Sequence, residues 1–160
     1  MFTVAVLVHN FDHLRRGIEA VHRDVFWAGT MSIGLEVAIV VLLVARHRFA
    51  PLVSVVGGFG LALGYLTVHF LPARAWLSDS FTSHAGAVSP MSWFAASLEV
   101  VAALVVGVVG LLEIRDAGGI EASVAPRPDQ RPLREAVMHP ASLAMIIGNA
   151  IVLIVSFTTY

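Results

Sequence analysis

Four long apolar stretches set the limits on this chain: Val25–Ala45, Leu52–Leu71, Met91–Leu112 and Pro140–Phe157. Each approaches or exceeds the roughly 18–20 apolar residues that cross a hydrocarbon core about 30 Å thick. A water-soluble fold of 160 residues has no means of hiding four such segments, and only 13% of this chain is charged, about half the share in an ordinary soluble domain. The expected fold is therefore all-α: an integral membrane helical bundle, one unit rather than two domains, with the lipid bilayer as its main partner. The plasma (inner) membrane of a prokaryote is the expected location.

The joints give an orientation. Arg46-His47-Arg48 separates the first two stretches, and the segment 113–138 holds Arg115, Arg127, Arg131 and Arg134 with three prolines. The loop 72–89 holds only Arg74. An excess of arginine marks the cytoplasmic side, so 113–138 reads as a cytoplasmic loop and 72–89 as an outer loop, with Tyr160 also outside. Trp27, Trp76 and Trp93 then all fall at the outer boundary, where tryptophan rings are favoured. Ser89-Pro90 offers an N-cap and a first-turn proline. Gly60 with Gly64, Ala103 with Gly107 and Ala144 with Gly148 have the spacing that lets helices approach closely in lipid. They imply packing within the chain or between copies, and a homo-oligomer or a larger membrane complex fits that pattern.

Residues 2–24 fit neither a span nor a loop. On a helix at 100° per residue, His9, Asp12, His13, Arg16, Glu19 and Arg23 share a stripe about 120° wide, with Val4, Leu7, Phe11, Leu14, Ile18, Val21 and Val25 opposite. Two placements satisfy this pattern. The helix lies along the outer interface, or it is a fifth, inserted helix with its polar stripe turned into the bundle. Its apolar opening run has no basic residues before it and leads into His9, Asn10, Asp12 and His13 rather than a small-residue cleavage site, so it does not read as a signal peptide.

Polar groups converge in depth. At about 1.5 Å per residue, Glu36 lies about 16 Å, Glu99 about 14 Å and Asn149 about 12 Å from the outer ends of their helices. An inserted N-terminal helix brings His13 to the same level. His69 and Tyr65 share a helix face at i, i+4, nearer the outer surface. Ionisable residues inside spans are costly and commonly mark function. His9 and His13, one turn apart, can clamp one metal ion. Asp12 is a third ligand or an acceptor that fixes a histidine tautomer, and Glu99, Glu36 or His69 can complete the sphere. The same residues also read as structure: a wet helix face, an Asp12–Arg16 pair, or buried carboxylates acting as interhelical glue. His22 and His47 flank helix ends, His139 precedes Pro140 at a helix start, and Asp79 and His84 are expected to be solvated.

Several chemistries are excluded or disfavoured. There is no cysteine, which removes disulfides, thiolate ligands and iron–sulfur clusters. No nucleophile elbow or phosphate-binding loop is present. A net charge of −1 argues against nucleic acid. With nitrogen and oxygen donors only, the expected cofactor is a transition-metal ion (zinc, iron, manganese or copper), with haem on His13 and His69 a weaker fit. The leading expectation is a site built from metal ligands His9, Asp12, His13 and His69 with Glu99 and Glu36 as catalytic carboxylates, acting on a lipid or small membrane substrate. The alternatives are a proton-coupled transporter using Glu36 and Glu99, with Arg16 as anion partner, and a non-catalytic subunit or scaffold.

Overall fold

A computed structural model describes residues 1–17, 20–72, 78–83 and 88–158. Ile18, Glu19, Arg74, Trp76, His84 and Tyr160, all named above, lie outside the described residues. The described elements are helical throughout: α1 (Phe2–Arg16), α2 (Arg23–Val44), α3 (Ala50–Tyr65, continued by a π-helical turn Leu66–Phe70), α4 (Pro90–Asp116), the short α5 (Ile120–Ser123) and α6 (Leu133–Val137), and α7 (Pro140–Thr158). Four of them, α2, α3 with its π turn, α4 and α7, are long and apolar enough to cross a membrane, and the arrangement is consistent with a membrane-spanning bundle.

The ends of the bundle differ in chemistry. At one end Phe26 and Trp27 of α2 meet Phe157 of α7, with ring centroids 5.7 and 6.0 Å apart, and Trp93 of α4 packs on Phe70 and Phe81. At the other, Arg46 pairs with Asp129 at 2.9 Å, and the Arg131 amide donates to the Ala45 carbonyl. Arginine-rich connections and aromatic rings thus occupy opposite ends. The segment 113–138 is more ordered than a plain loop: α4 runs on to Asp116, with α5 and α6 beyond it.

The N-terminal helix is shorter than the expected 2–24. It stops at Arg16, where Gly17 takes φ +81° and its amide closes onto the His13 and Leu14 carbonyls. Glycine accepts this left-handed conformation without the Cβ clash that other residues meet. Arg23 therefore belongs to the start of α2, not to the polar stripe of α1. His22 caps α2 by accepting from the Asp24 amide at 3.3 Å. His47 and His139 do the same for Phe49 and Ala141, both at 3.3 Å.

Helix α1 packs against α4 and α7 with its polar face inward. His9 and Asp12 are buried, while Val4 and Phe11 are 60% and 58% exposed. This is the bundle-facing placement; the apolar side looks outward. At fifteen residues, α1 is about 22 Å long, short of a full span. Its first turns, Phe2, Ala5 and Val6, join Ile39, Leu61, Ala102, Ala103 and Met145 in the apolar core. Asn10 fastens it to α7 through a 2.5 Å hydrogen bond to Asn149, whose amide also donates to the Met145 carbonyl. Arg15 ties its far end to the first turn of α4 through Ser89 and Ser92, at 3.0 and 3.1 Å.

The glycines divide into two sets. A Cβ on Gly58 would sit 2.5 Å from the Gly107 nitrogen, and one on Gly110 would sit 2.6 Å from the Pro51 carbonyl oxygen. These positions allow the close approach of α3 and α4. Gly60 and Gly64 meet nothing within 4 Å; the packing face of α3 is the Gly57–Gly58 side instead. Accordingly Gly58→Ala is expected to destabilise the protein by about 1–3 kcal/mol through overpacking against backbone. Gly60→Ala is expected to be neutral or to stabilise by about 0.5–1 kcal/mol through helix propensity. Reversible unfolding in detergent micelles measures both, and equal effects would contradict this division.

Candidate metal centre

The inward face of α1 carries His9 and His13 one turn apart. Their Nε2 atoms lie 2.8 Å from each other. The third histidine, His69, arrives from α3, and the π turn aims it. An i→i+5 turn inserts an extra residue into the helix and rotates the residues beyond it, so His69 leaves the plain i, i+4 relation to Tyr65. The three rings sit directly against one another, with centroids 4.6, 4.9 and 5.5 Å apart. One nitrogen from each of His9, His13 and His69 falls within 4.8 Å of the others. This cluster is able to coordinate a transition-metal ion. The direct ring contacts leave no room for a porphyrin between any two of them, which disfavours haem.

Carboxylates stand behind two of the histidines. Glu99 Oε2 lies 3.2 Å from His9 Nδ1, in ion-pair range but without hydrogen-bond alignment. Asp79 meets His69 Nδ1 through its carboxylate at 3.4 Å and its backbone carbonyl, also at 3.4 Å. A carboxylate or carbonyl on the far nitrogen is how proteins fix the tautomer and orientation of a metal-binding histidine. In each case Nε2 is the nitrogen left facing the cluster.

Asp79 departs from its expected place. A solvated position in the outer loop is the reading its sequence context supports, yet it is 2% exposed. Its loop folds over the end of the π turn: the Asp79 amide donates to the Val68 carbonyl at 3.1 Å, and the Phe81 amide to the His69 carbonyl at 3.0 Å. Carbonyls that the helix end would leave orphaned are satisfied this way. The Phe81 ring then lies 4.8 Å from the His69 ring and 5.3 Å from the Arg16 guanidinium carbon. Asp79 and Arg16 form a buried ion pair, both side chains 1% exposed. Burial alone would raise the Asp79 carboxyl, but hydrogen bonds from His69 and Arg16 and the charge of Arg16 outweigh it and hold it at about 2.

Arg16 also reaches His13, with Nη2 3.0 Å from Nδ1. Arg16 can only donate, so here His13 accepts at Nδ1 and carries its proton on Nε2, pointing at His9. An ion held by His13 Nε2 requires that proton to leave or to move to Nδ1, and Arg16 to give way toward Asp79. The His9–His13 separation must open as well, because two ligands of one tetrahedral ion sit about 3.3 Å apart. Both are side-chain adjustments.

The remaining expected residues divide. Asp12 is turned away from the cluster: Arg15 holds it at 2.9 Å and Arg16 Nε at 3.4 Å. Glu36 is 1% exposed and takes a hydrogen bond from the Tyr65 hydroxyl and one from Ser32 at 3.1 Å. Its Oε2, like Glu99 Oε2, has no hydrogen-bond partner among the described residues. Tyr65 lies 5.7 Å from His9, ring to ring, so the Glu36–Tyr65 pair borders the cluster. A cavity of about 270 Å³ between α2 and α3 ends on His9, His13, Tyr65 and His69. In comparison with known proteins, no family model, no curated protein and no solved structure matches this chain.

Proposed function

We propose that this is an integral membrane metalloprotein in which His9, His13 and His69 hold one transition-metal ion. The observation that carries the proposal is the convergence of three histidine nitrogens within 4.8 Å, two of them with a carboxylate behind the ring. Membrane embedding is supported by the outer face of α4, where Val101, Leu104, Val105, Val108, Leu111 and Leu112 are 39–52% exposed. A continuous apolar surface of this kind is covered by lipid or by another protein. Three neutral nitrogen donors suit zinc, and also iron, manganese or copper(II).

His9, His13 and His69 would hold the ion, and all three also line the cavity. When bound, the ion would supply Lewis acidity to a water or a substrate oxygen. Glu36, hydrogen-bonded to the cavity-lining Tyr65, is the carboxylate we assign to proton uptake. Glu99 is placed to orient His9. The reaction supported by this arrangement is metal-assisted hydrolysis or modification of a lipid or small membrane substrate. Asp12 is assigned to holding Arg15 and Arg16, not to the ion. A second reading rests on Glu36 and Glu99, two buried carboxylates that each keep an oxygen without a hydrogen bond among the described residues; proton-coupled transport would use them as the carriers.

Metal analysis tests the first reading. Protein purified without a histidine tag is expected to carry close to one equivalent of metal, or to accept it on loading with zinc, manganese, ferrous or cupric ions. Wild-type protein that carries none and resists loading with all four sinks the metalloprotein reading. Proton-linked flux in liposomes that Glu36→Gln and Glu99→Gln both remove would then favour transport.

A further inference from the structure

The cavity has an unusual wall. Helices α2 and α3 touch in their inner halves, where the Ile39 and Leu35 side chains fill the space beside Gly57. Toward the aromatic end they splay apart. Gly29 on α2 and Gly60 and Gly64 on α3 all line the gap, and none has anything within 4 Å of where a Cβ would be. Helical glycine is unfavourable unless something needs the room, and the packing glycines Gly58 and Gly110 show what such need looks like elsewhere in this chain. Here the room is kept, and among the described residues no side chain takes it. The gap ends on polar groups that are almost fully buried, His9 and His69 at 4% and 2% exposure.

Its position decides what can reach it. The lining residues of α3, Gly60 to Val68, lie about 3–15 Å from the end of the π turn at Phe70. The gap therefore opens sideways between two spans, at a depth that belongs to hydrocarbon rather than water. Charge narrows the choice further. Among the described residues no arginine lines the cavity; Arg16 is committed to Asp79, Asp12 and His13. An anionic head such as a phosphate would meet no arginine along the way to the histidine cluster and would be expensive to carry through this apolar passage.

We propose that the gap between α2 and α3 is a lateral portal through which a neutral, bilayer-dissolved molecule brings an oxygen-bearing head (an alcohol, carbonyl or ester) to the histidine cluster. This rests on the membrane and metal readings above and names the substrate class of that site. The apolar body of the ligand lies along Leu61, Val68 and Leu35, and the three glycines give it passage. The head would reach the histidine cluster, with Tyr65 beside it.

The absence of cysteine makes the test direct. In full-length protein reconstituted into phosphatidylcholine vesicles, Gly64→Cys places a single thiol in the gap. Leu63→Cys, at a position 67% exposed, places one on the outer face of α3. An N-alkylmaleimide dissolved in the bilayer is expected to label both. A charged, membrane-impermeant thiosulfonate is expected to react at least tenfold more slowly with Gly64→Cys. A neutral long-chain alcohol is expected to slow alkylation of Gly64→Cys at least fivefold and leave Leu63→Cys unchanged. Equal reaction with the charged reagent would make the gap a water-filled opening, and lack of protection by the alcohol would remove the ligand; either overturns the proposal. So would efficient cross-linking of Gly64→Cys between two chains, which would make the gap a docking face for a second copy. Metal content measured on the same samples separates these outcomes from failure of the metal centre, since portal labelling is read without reference to the ion.

Discussion

His13→Ala is expected to empty the metal centre, lowering affinity by at least about 100-fold, with the same result for His9→Ala and His69→Ala. Each removes one of three donors, and two remaining nitrogens do not hold an ion against water and buffer. The residues behind the ring nitrogens should give smaller, graded effects: Glu99→Gln is expected to weaken binding about 10–100-fold, the range usual for partners that orient a histidine. Asp12→Asn should leave affinity unchanged, because its carboxylate faces Arg15 and Arg16. Competition against a chromogenic chelator reads all five variants on one scale. If Asp12→Asn matches His13→Ala while His69→Ala binds normally, the ion sits on α1 alone and the three-histidine centre is wrong.

The largest effect on stability is expected at the Arg16–Asp79 pair. Removing one partner of a buried ion pair strands the other charge and typically costs about 3–5 kcal/mol. Among the described residues, Asp79→Ala leaves Arg16, 1% exposed, with the longer Asp12 contact, His13 and the Phe81 ring. The double variant Arg16→Met, Asp79→Leu removes both charges and fills similar volume. It should recover most of the loss and fall within about 1–2 kcal/mol of wild type. Unfolding in micelles without added metal keeps this separate from metal binding. A loss below about 1 kcal/mol for Asp79→Ala would mean that water reaches the pair.

Range decides how much of this was legible in the sequence. The apolar stretches were legible because hydropathy is a local property of the sequence, and α2, α3 with its π turn, α4 and α7 are long and apolar enough to cross a membrane. His9 and His13 were legible as a pair because i, i+4 spacing is local. Glu36 and Glu99 were found from depth alone. The end of α1 also had a local signal, the glycine after Arg15 and Arg16 in the last turn, and the continuing polar stripe masked it. Asp79 had none: nothing in the loop sequence says which residue folds back over a helix end. The π turn was equally silent, since Leu66–Phe70 reads as ordinary helix and only its contacts with Asp79 and Phe81 reveal why its carbonyls are free to pair outside it.

The polarity of α1 also bears on the order in which the molecule can be assembled. The polar side chains of α1, from His9 and Asn10 to Asp12, Arg15 and Arg16 in its last turns, would be costly to expose on a lone helix in lipid. Such a helix gains from insertion only once α4, α7 and the 78–83 loop are there to receive Asn10, Arg15 and Arg16. On the proposed membrane placement, assembly of the bundle is expected to be ordered, with the apolar spans associating first and α1 docking late. His9 and His13 would arrive together on α1 in that final step, so a half-built molecule would hold only His69 and lack the proposed three-histidine centre.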